Sequence, residues 1–413
     1  MPVSFKNLIS LILISILTVF FISPPVNASA RDESLLGINI SAKSAIVIDQ
    51  ESGEAIFEKN PDIQLPPAST TKIMTGIIVL ENSDLDDVVK ISARTKEIGE
   101  SSIYLSEGEE LRVEDLLYAM LVQSANDAAY ALAEHVSGSE ELFVDLMNRK
   151  AAEIGAKSTK FKNSYGLDDE EHLTTARDLA MIARYAMQND EFRKIVATKE
   201  KFIPWEGHSD RKLVNTNTLL GKVDYVTGIK TGYTDKAGLC MVISAEKNGK
   251  NLITVVLGSK DEKIREEDIL LIMDYCFEEN ERFDLYKKDN SKFFIYPKND
   301  DEPIAVFAEK DLSRYLNKSD ADDLIVIVNI DENISLPVYA GEKVGSVIVL
   351  NNRVEVDSAD IISKEDKEKV SIPEEQVNEI KTWKYSNYVV YGLIFIMVVL
   401  AIFKLVRHFR RRY

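Results

Sequence analysis

Cysteine and histidine are scarce. Two cysteines, Cys240 and Cys276, and four histidines are spread over 413 residues. That excludes a disulfide framework and offers no spacing for a metal cluster. The two thiols read as buried and free, with a single bridge between them as the alternative. Positive charge is also short: 50 Lys and Arg stand against 68 Asp and Glu, a net charge of −18. Five of the cations, Lys404, Arg407, Arg410, Arg411 and Arg412, sit at the extreme C-terminus, so the remainder is more acidic still. A surface of that sign repels phosphate backbones and argues against nucleic acid as a partner. No internal repeat or low-complexity block is present, and nothing calls for a cofactor. What remains is a globular balance, 45% hydrophobic and 29% charged, in a chain too long for one ordinary domain.

The two ends address the protein to a membrane. Residues 1–30 read as a secretory signal: Lys6 supplies the charged start, Leu8 to Ile22 carries no charge, and Ala28-Ser29-Ala30 offers small residues for cleavage. An uncleaved anchor is the alternative, although the run is short for a span. Residues 385–406 read as a transmembrane helix, with no charge from Tyr385 to Phe403 and Trp383, Tyr385 and Tyr388 where an aromatic belt would lie. Residues 407–413 form a basic tail, which the positive-inside rule places in the cytoplasm. The body is then expected outside the membrane, on a single-pass anchor.

Between the ends, Ser44 to Asp49 and Glu54 to Glu58 read as two strands about a turn. Ser69 opens a buried helix, Val113 to Gln123 and Asp127 to His135 are helical, and Thr174 is expected to cap a helix through Met187. Val226 to Lys230, Leu239 to Ala245 and Leu252 to Leu257 read as strands, the last two joined at Asn248-Gly249. An amphipathic helix from Glu266 to Phe277 follows. Strands at both ends with helices between them predict an α+β domain, an antiparallel sheet with helical layers, over 31–282. Short β-like runs then predict a small all-β domain over 283–362, and 363–384 reads as a charged juxtamembrane linker.

Three short motifs carry chemistry. Ser69-Thr70-Thr71-Lys72 is S-x-x-K; on a helix, residues three apart share a face, so the amine can reach the hydroxyl. A serine needs such a base to become a nucleophile, and a helix start aims N–H groups at developing negative charge. Ser209…Lys212 and Ser244…Lys247 repeat the spacing, but the first lies in a polar loop and the second in a strand, where such residues face opposite sides. Ser124-Ala125-Asn126 gives S-x-N after a helix. Lys230-Thr231-Gly232 gives K-T-G after a strand. Together and in order they match the serine penicillin-recognising enzymes.

The surrounding sequence resembles the low-molecular-mass penicillin-binding proteins, the D-Ala-D-Ala carboxypeptidases of the peptidase S11 family. The segments that carry the resemblance are Pro67 to Thr75, Gln123 to Ala128 and Gly228 to Thr234, supported by Leu132 to His135 and Asn215 to Leu220. It covers roughly residues 40–280, and Gly341-Glu342-Lys343-Val344-Gly345 extends it into the family's β-rich C-terminal domain. The resemblance implies a β-lactamase/transpeptidase-like fold and a hydrolase that removes the terminal D-alanine from peptidoglycan stem pentapeptides, with β-lactams as covalent inhibitors. It assigns Ser69 as nucleophile, Lys72 as its base, and Ser124 and Asn126 as proton relay and substrate contacts. Lys230 and Thr231 would bind the terminal carboxylate. The N–H groups of Ser69 and Tyr233 would form the oxyanion hole, beside Gly232. In this family an arginine near the start of the last helix also binds that carboxylate, and Arg265 is the matching position.

Two departures stand out. Some members carry His after K-T-G, where this chain has Tyr233. Some end in an amphipathic helix lying on the membrane, where this chain is expected to cross it. Two rivals remain: a β-lactamase on the same fold, and a scaffold that has lost activity. Glu153, Glu170 and Glu171 lie between the second and third motifs, but none sits in an E-x-x-L-N setting. Intact Ser69, Lys72, Ser124, Asn126 and Lys230 argue against a scaffold.

Overall fold

The computed structural model describes residues 38–288, 293–298, 302–318, 323–331, 333–351 and 353–368. The segments expected as signal, transmembrane span and basic tail, and most of the expected charged linker, lie outside the described residues. Among the described residues no helix is long and apolar enough to cross a membrane.

The chain starts with a hairpin of β1 (Ser44–Asp49) and β2 (Ala55–Lys59). A 3-10 turn at Ala68–Thr71 leads into α1 (Lys72–Asn82). A short ribbon pairs β3 (Val88–Lys90) with β4 (Glu110–Arg112). Then come α2 (Val113–Leu121), α3 (Asn126–Ser137), α4 (Glu140–Ile154), α5 (Ala176–Ala186) and α6 (Asp190–Val196). A second ribbon pairs β5 (Glu200–Ile203) with β6 (Arg211–Val214). Strands β7 (Val226–Thr234), β8 (Gly238–Lys247) and β9 (Lys250–Ser259) then return to β1, and α7 (Glu262–Glu278) closes the layer. The main sheet is antiparallel with order β2-β1-β9-β8-β7.

The strands of this sheet read as continuous apolar runs because both faces are covered. Side chains alternate along a strand: Ile46, Ile48, Val242 and Val255 enter the core under α1–α6. Ala45, Val47, Ile243 and Val256 enter a second core with Ile269, Ile272 and Met273 of α7. Cys240 belongs to the first core and Cys276 to the second, on opposite faces of the sheet. Both are buried free thiols, so the bridged alternative is excluded by geometry.

Local expectations hold with shifts. Asn248 and Gly249 have φ of 54° and 78°, the left-handed pair that a two-residue hairpin requires. The α5 cap is Thr175, not Thr174: Thr175 Oγ1 accepts from the Asp178 N–H at 3.1 Å. Thr174 instead stays extended and bridges to Leu65. Helix α7 begins at Glu262, ahead of the expected Glu266, because the Asp261 carboxylate accepts from the Ile264 N–H. The K-T-G segment lies inside β7 rather than after it.

Beyond α7, β10 (Asn280–Tyr286) pairs with β13 (Leu312–Asn317). A five-stranded sheet has the order β11 (Phe293–Ile295), β12 (Ile304–Ala308), β16 (Val354–Ser363), β15 (Lys343–Asn351), β14 (Leu324–Ile330). The described chain divides into two compact units. One runs to Tyr286 and takes in Asp311–Ile327 and Ile348–Ser358; the other holds Lys287–Lys310, Val328–Val347 and the chain from Ala359. β10, β13 and β16 escape the sequence reading because charged and polar residues interrupt their apolar alternation. The charged stretch expected from Ser363 opens on the last, buried residue of β16, and Lys367 still bridges to Val338.

Candidate active site

Ser69 is half-buried in the 3-10 turn, one residue pair ahead of α1. The turn is braced from several sides. Thr70 Oγ1 donates to Pro67 O at 2.6 Å and Thr71 Oγ1 to Ala68 O at 2.8 Å. Ala68 is held at φ 50°, a conformation costly for a residue with a Cβ. Gly166 packs against it so closely that a Cβ there would stand 2.0 Å from Ala68 O. The buried His172 adds a tether. Its Nδ1 accepts from the Lys162 N–H at 3.2 Å, which leaves Nε2–H to donate to Thr71 Oγ1 at 2.9 Å. Burial lowers the His172 pKa to about 4, keeping the ring neutral for that role.

Lys72 is fully buried on the first turn of α1. Its Nζ lies 2.8 Å from Ser69 Oγ, 2.6 Å from Asn126 Oδ1 and 2.6 Å from Tyr165 O. Burial lowers its pKa well below the ordinary lysine value, and the charge of Lys230 lowers it further. Lys230, equally buried on β7, is brought down to about 7 by burial; its Nζ donates to Thr231 O at 3.0 Å. Burial and the repulsion between the two ammonium groups both favour the neutral amine at Lys72.

The S-x-N segment links α2 to α3. Ser124 sits at φ 68° and lines the cleft. Asn126 starts α3, where its N–H donates to Ser101 O at 2.7 Å and its Nδ2 donates to Gly99 O at 2.9 Å. Beside it, the buried Asp127 carboxylate accepts from Ser102 Oγ and from the N–H groups of Ile103 and Leu105. The loop from Gly99 to Leu105 is thereby fixed to the start of α3.

Strand β7 forms the facing wall. Gly232 lies against the nucleophile turn, where a Cβ would stand 2.9 Å from Ser69 N. Only glycine leaves those N–H groups accessible. Thr231 Oγ1 donates to Thr216 Oγ1 at 2.6 Å, and Asn217 Nδ2 donates to Gly228 O at 3.1 Å, so the segment after β6 props the strand. The Tyr233 side chain turns outward and donates its hydroxyl to Asp235, leaving its backbone to the cleft.

Ser69, Ser124, Asn126, Thr231, Gly232 and Arg265 line one cleft of about 350 Å³. Arg265, near the start of α7, is only 2% exposed. Its Nη2 donates to Glu262 Oε1 at 3.3 Å, while its Nε has no hydrogen-bond partner among the described residues. The guanidinium lines the cleft, but its unmatched Nε–H is itself buried.

Of the nine residues expected from the sequence, seven line the cleft, Lys72 lies behind Ser69, and Lys230 is near enough for its charge to act on Lys72. The other S-x-x-K pairs do not form dyads: Ser244 Oγ bonds Thr227 Oγ1, and Lys212 pairs with Glu200. Glu153 pairs with Lys150, and Glu171 with Lys160 and Lys162; neither they nor Glu170 line the cleft. Among the described residues no group of three or more His, Cys, Asp or Glu could hold a metal. The sequence reading missed Tyr165, Gly166, His172, Thr216, Glu100 and Asp127. Tyr165 acts through a backbone carbonyl, which no residue type announces. Asp127 follows the S-x-N motif on the first turn of a helix, and that adjacency was a usable signal.

Comparison with known proteins agrees with this geometry. The family profile described as D-alanyl-D-alanine carboxypeptidase, peptidase S11, matches residues 27–261, and that of the penicillin-binding protein 5 C-terminal domain matches 281–369. D-alanyl-D-alanine carboxypeptidase DacF of Bacillus subtilis is 33% identical over 373 residues, 88% of this chain and 95% of its own. The crystal structure of the D-alanyl-D-alanine carboxypeptidase DacD from Francisella tularensis superposes with a TM-score of 0.71 at 27% identity, covering 84% of this chain and 97% of that one. Penicillin-binding protein 5 from Haemophilus influenzae gives a TM-score of 0.69 at 28% identity, with 80% and 98% covered. On sequence, fold and site together, the chain belongs to the peptidase S11 family of D-alanyl-D-alanine carboxypeptidases.

Proposed function

We propose that this chain removes the terminal D-alanine from peptidoglycan stem pentapeptides through an acyl-enzyme on Ser69. The observation that carries the reading is the Lys72 environment. A neutral amine has two hydrogens and one lone pair. The carbonyls of Asn126 and Tyr165 can only accept, so they take the two hydrogens. The lone pair is left facing Ser69 Oγ, ready to take its proton.

The reaction then follows. The substrate's terminal carboxylate docks at Arg265, with Lys230 and Thr231 alongside. Ser69 Oγ attacks the carbonyl of the D-Ala-D-Ala bond as Lys72 accepts the hydroxyl proton. The developing oxyanion lies between the N–H groups of Ser69 and Tyr233, which the missing side chain at Gly232 keeps open. Collapse expels D-alanine as its amine takes up the proton held by Lys72, relayed through the Ser124 hydroxyl while Asn126 holds the substrate, and water then hydrolyses the ester. A β-lactam enters the same path but leaves no departing fragment, so its acyl group stays on Ser69. Mass spectrometry of a tryptic digest after penicillin treatment should place the adduct on the peptide containing Ser69 and show it persisting. An adduct on Ser209 or Ser244, or none, contradicts the reading; rapid release of the label would instead mark a β-lactamase.

The protein is further proposed to work outside the cytoplasmic membrane, on a single C-terminal span. The uncharged run from Tyr385 to Phe403 and Arg410-Arg411-Arg412 beyond it support this. Protease added to intact protoplasts should remove the catalytic domain. Survival of that domain with loss of the C-terminus would reverse the topology.

A further inference from the structure

The cleft has a carboxylate that neither the proposed chemistry nor the protein's own packing employs. Glu100 lines the cleft with Ser69, Ser101 and Asn126. Its side chain is exposed, and among the described residues no hydrogen bond or ion pair engages it. Yet its backbone is fixed. Glu100 sits at φ 65°, the left-handed region that disfavours a residue with a Cβ. It is held there because both neighbours are tied to Asn126: Gly99 O accepts from Asn126 Nδ2, and Ser101 O accepts from the Asn126 N–H. A strained, immobilised residue in a reactive cleft points to a use for its side chain.

Its position says which use. Arg265 and Glu262 come from α7, at the sheet end of the cleft with Thr231, Tyr233 and Leu239. Glu100, Ser101 and Asn126 form the helical wall. Ser69 lies between them, touching Gly232 on one side and Lys72, itself bonded to Asn126, on the other. A leaving residue whose carboxylate is held at Arg265 occupies the sheet end. The acyl portion of the peptide must then pass the helical wall, where the unpaired side-chain charge is negative. Glu100 is also close enough for its charge to raise the Lys72 pKa, against the larger effects of burial and Lys230.

We infer that Glu100 is a specificity-determining residue that pairs with a free side-chain ammonium on the acyl side of the scissile bond, in a stem peptide whose diamino residue precedes the two D-alanines. The inference rests on the carboxypeptidase reading and adds to it a preference for the uncrosslinked amine.

Two tripeptides test it: Nα-acetyl-L-lysyl-D-alanyl-D-alanine with its side-chain amine free, and the same peptide with that amine acetylated. The readout is the ratio of their kcat/KM values, in which any change in Lys72 basicity cancels. The wild-type protein should favour the free amine by about twofold to fivefold at low ionic strength, as an accessible ion pair allows. The ratio should fall towards one in about 1 M salt, where the screening length is roughly 3 Å. Glu100→Gln and Glu100→Asn should both bring it to about one, asparagine being the better tolerated at this φ; Glu100→Lys should invert it. The salt series needs no variant, so it decides the matter even if a substitution fails to fold. Cleavage of both peptides with a ratio insensitive to salt and to residue 100 overturns the inference and leaves the carboxypeptidase reading intact. Cleavage of neither peptide contradicts that reading, and this inference with it.

Discussion

Replacing Lys72 with arginine should slow acylation of Ser69 by about two to four orders of magnitude, the usual contribution of a positioned general base. Arginine keeps hydrogen-bond donors, but it carries a permanent positive charge because its guanidinium does not lose a proton in proteins. It cannot take the Ser69 hydroxyl proton. Lys72 can, because burial and the neighbouring Lys230 lower its pKa well below that of a free lysine. The sign of the pH dependence follows. The reactive form is the neutral amine, so acylation by the wild-type protein should rise with pH through the lowered Lys72 pKa and then level off. In Lys72→Arg that limb should disappear. Stopped-flow acylation by a chromogenic β-lactam across pH measures both effects. A Lys72→Arg protein that folds and acylates at a near-normal rate would remove Lys72 from the base role.

Arg265→Ala should lower kcat/KM by about tenfold to a hundredfold on peptides that end in a free D-alanine carboxylate. A hydrogen bond to a charged group contributes about 1.5–3 kcal/mol, which corresponds to that loss. The guanidinium suits the task because it is a permanent positive charge lining the same cleft as Ser69 and Thr231. An amidated peptide lacks the carboxylate, so its poor turnover should barely change. The comparison needs a folded variant, which a thermal melt establishes, since an arginine this deeply buried also packs against the start of α7. Equal losses on both substrates would show that Arg265 is not the carboxylate clamp. Lys230 and Thr231 would then carry that contact alone.

The parts of this site that were legible in the sequence are those in which side-chain type performs the chemistry. Ser69 with Lys72, Ser124 with Asn126, and Lys230 with Thr231 announce themselves because each pair is set by local spacing on a helix or strand. Arg265 became visible through the resemblance, since a lone arginine on an acidic helix has no local signal. The main sheet was readable because both of its faces are buried, which gives β1, β8 and β9 largely apolar central stretches. What stayed hidden acts through backbone or through distance along the chain. The Tyr165 carbonyl accepts a hydrogen bond from Lys72, and Gly166 is required because its φ is 93° and it meets Ala68 nearly a hundred residues earlier. His172 supports the nucleophile turn through Thr71, a contact that no motif encodes. Glu100 shows its strain only in φ. Strands β10, β13 and β16 were missed for a different reason: in a small sheet with solvent on much of its surface, polar residues break the alternation that marks a strand.

The most direct measurement is incubation of the purified protein with a muropeptide carrying an intact pentapeptide, followed by mass analysis of the products. A serine D-alanyl-D-alanine carboxypeptidase should convert the pentapeptide to the tetrapeptide, releasing one D-alanine per molecule, and Ser69→Ala should release none. A folded wild-type protein that leaves the pentapeptide unchanged, or a Ser69→Ala variant that still releases D-alanine, would contradict the account.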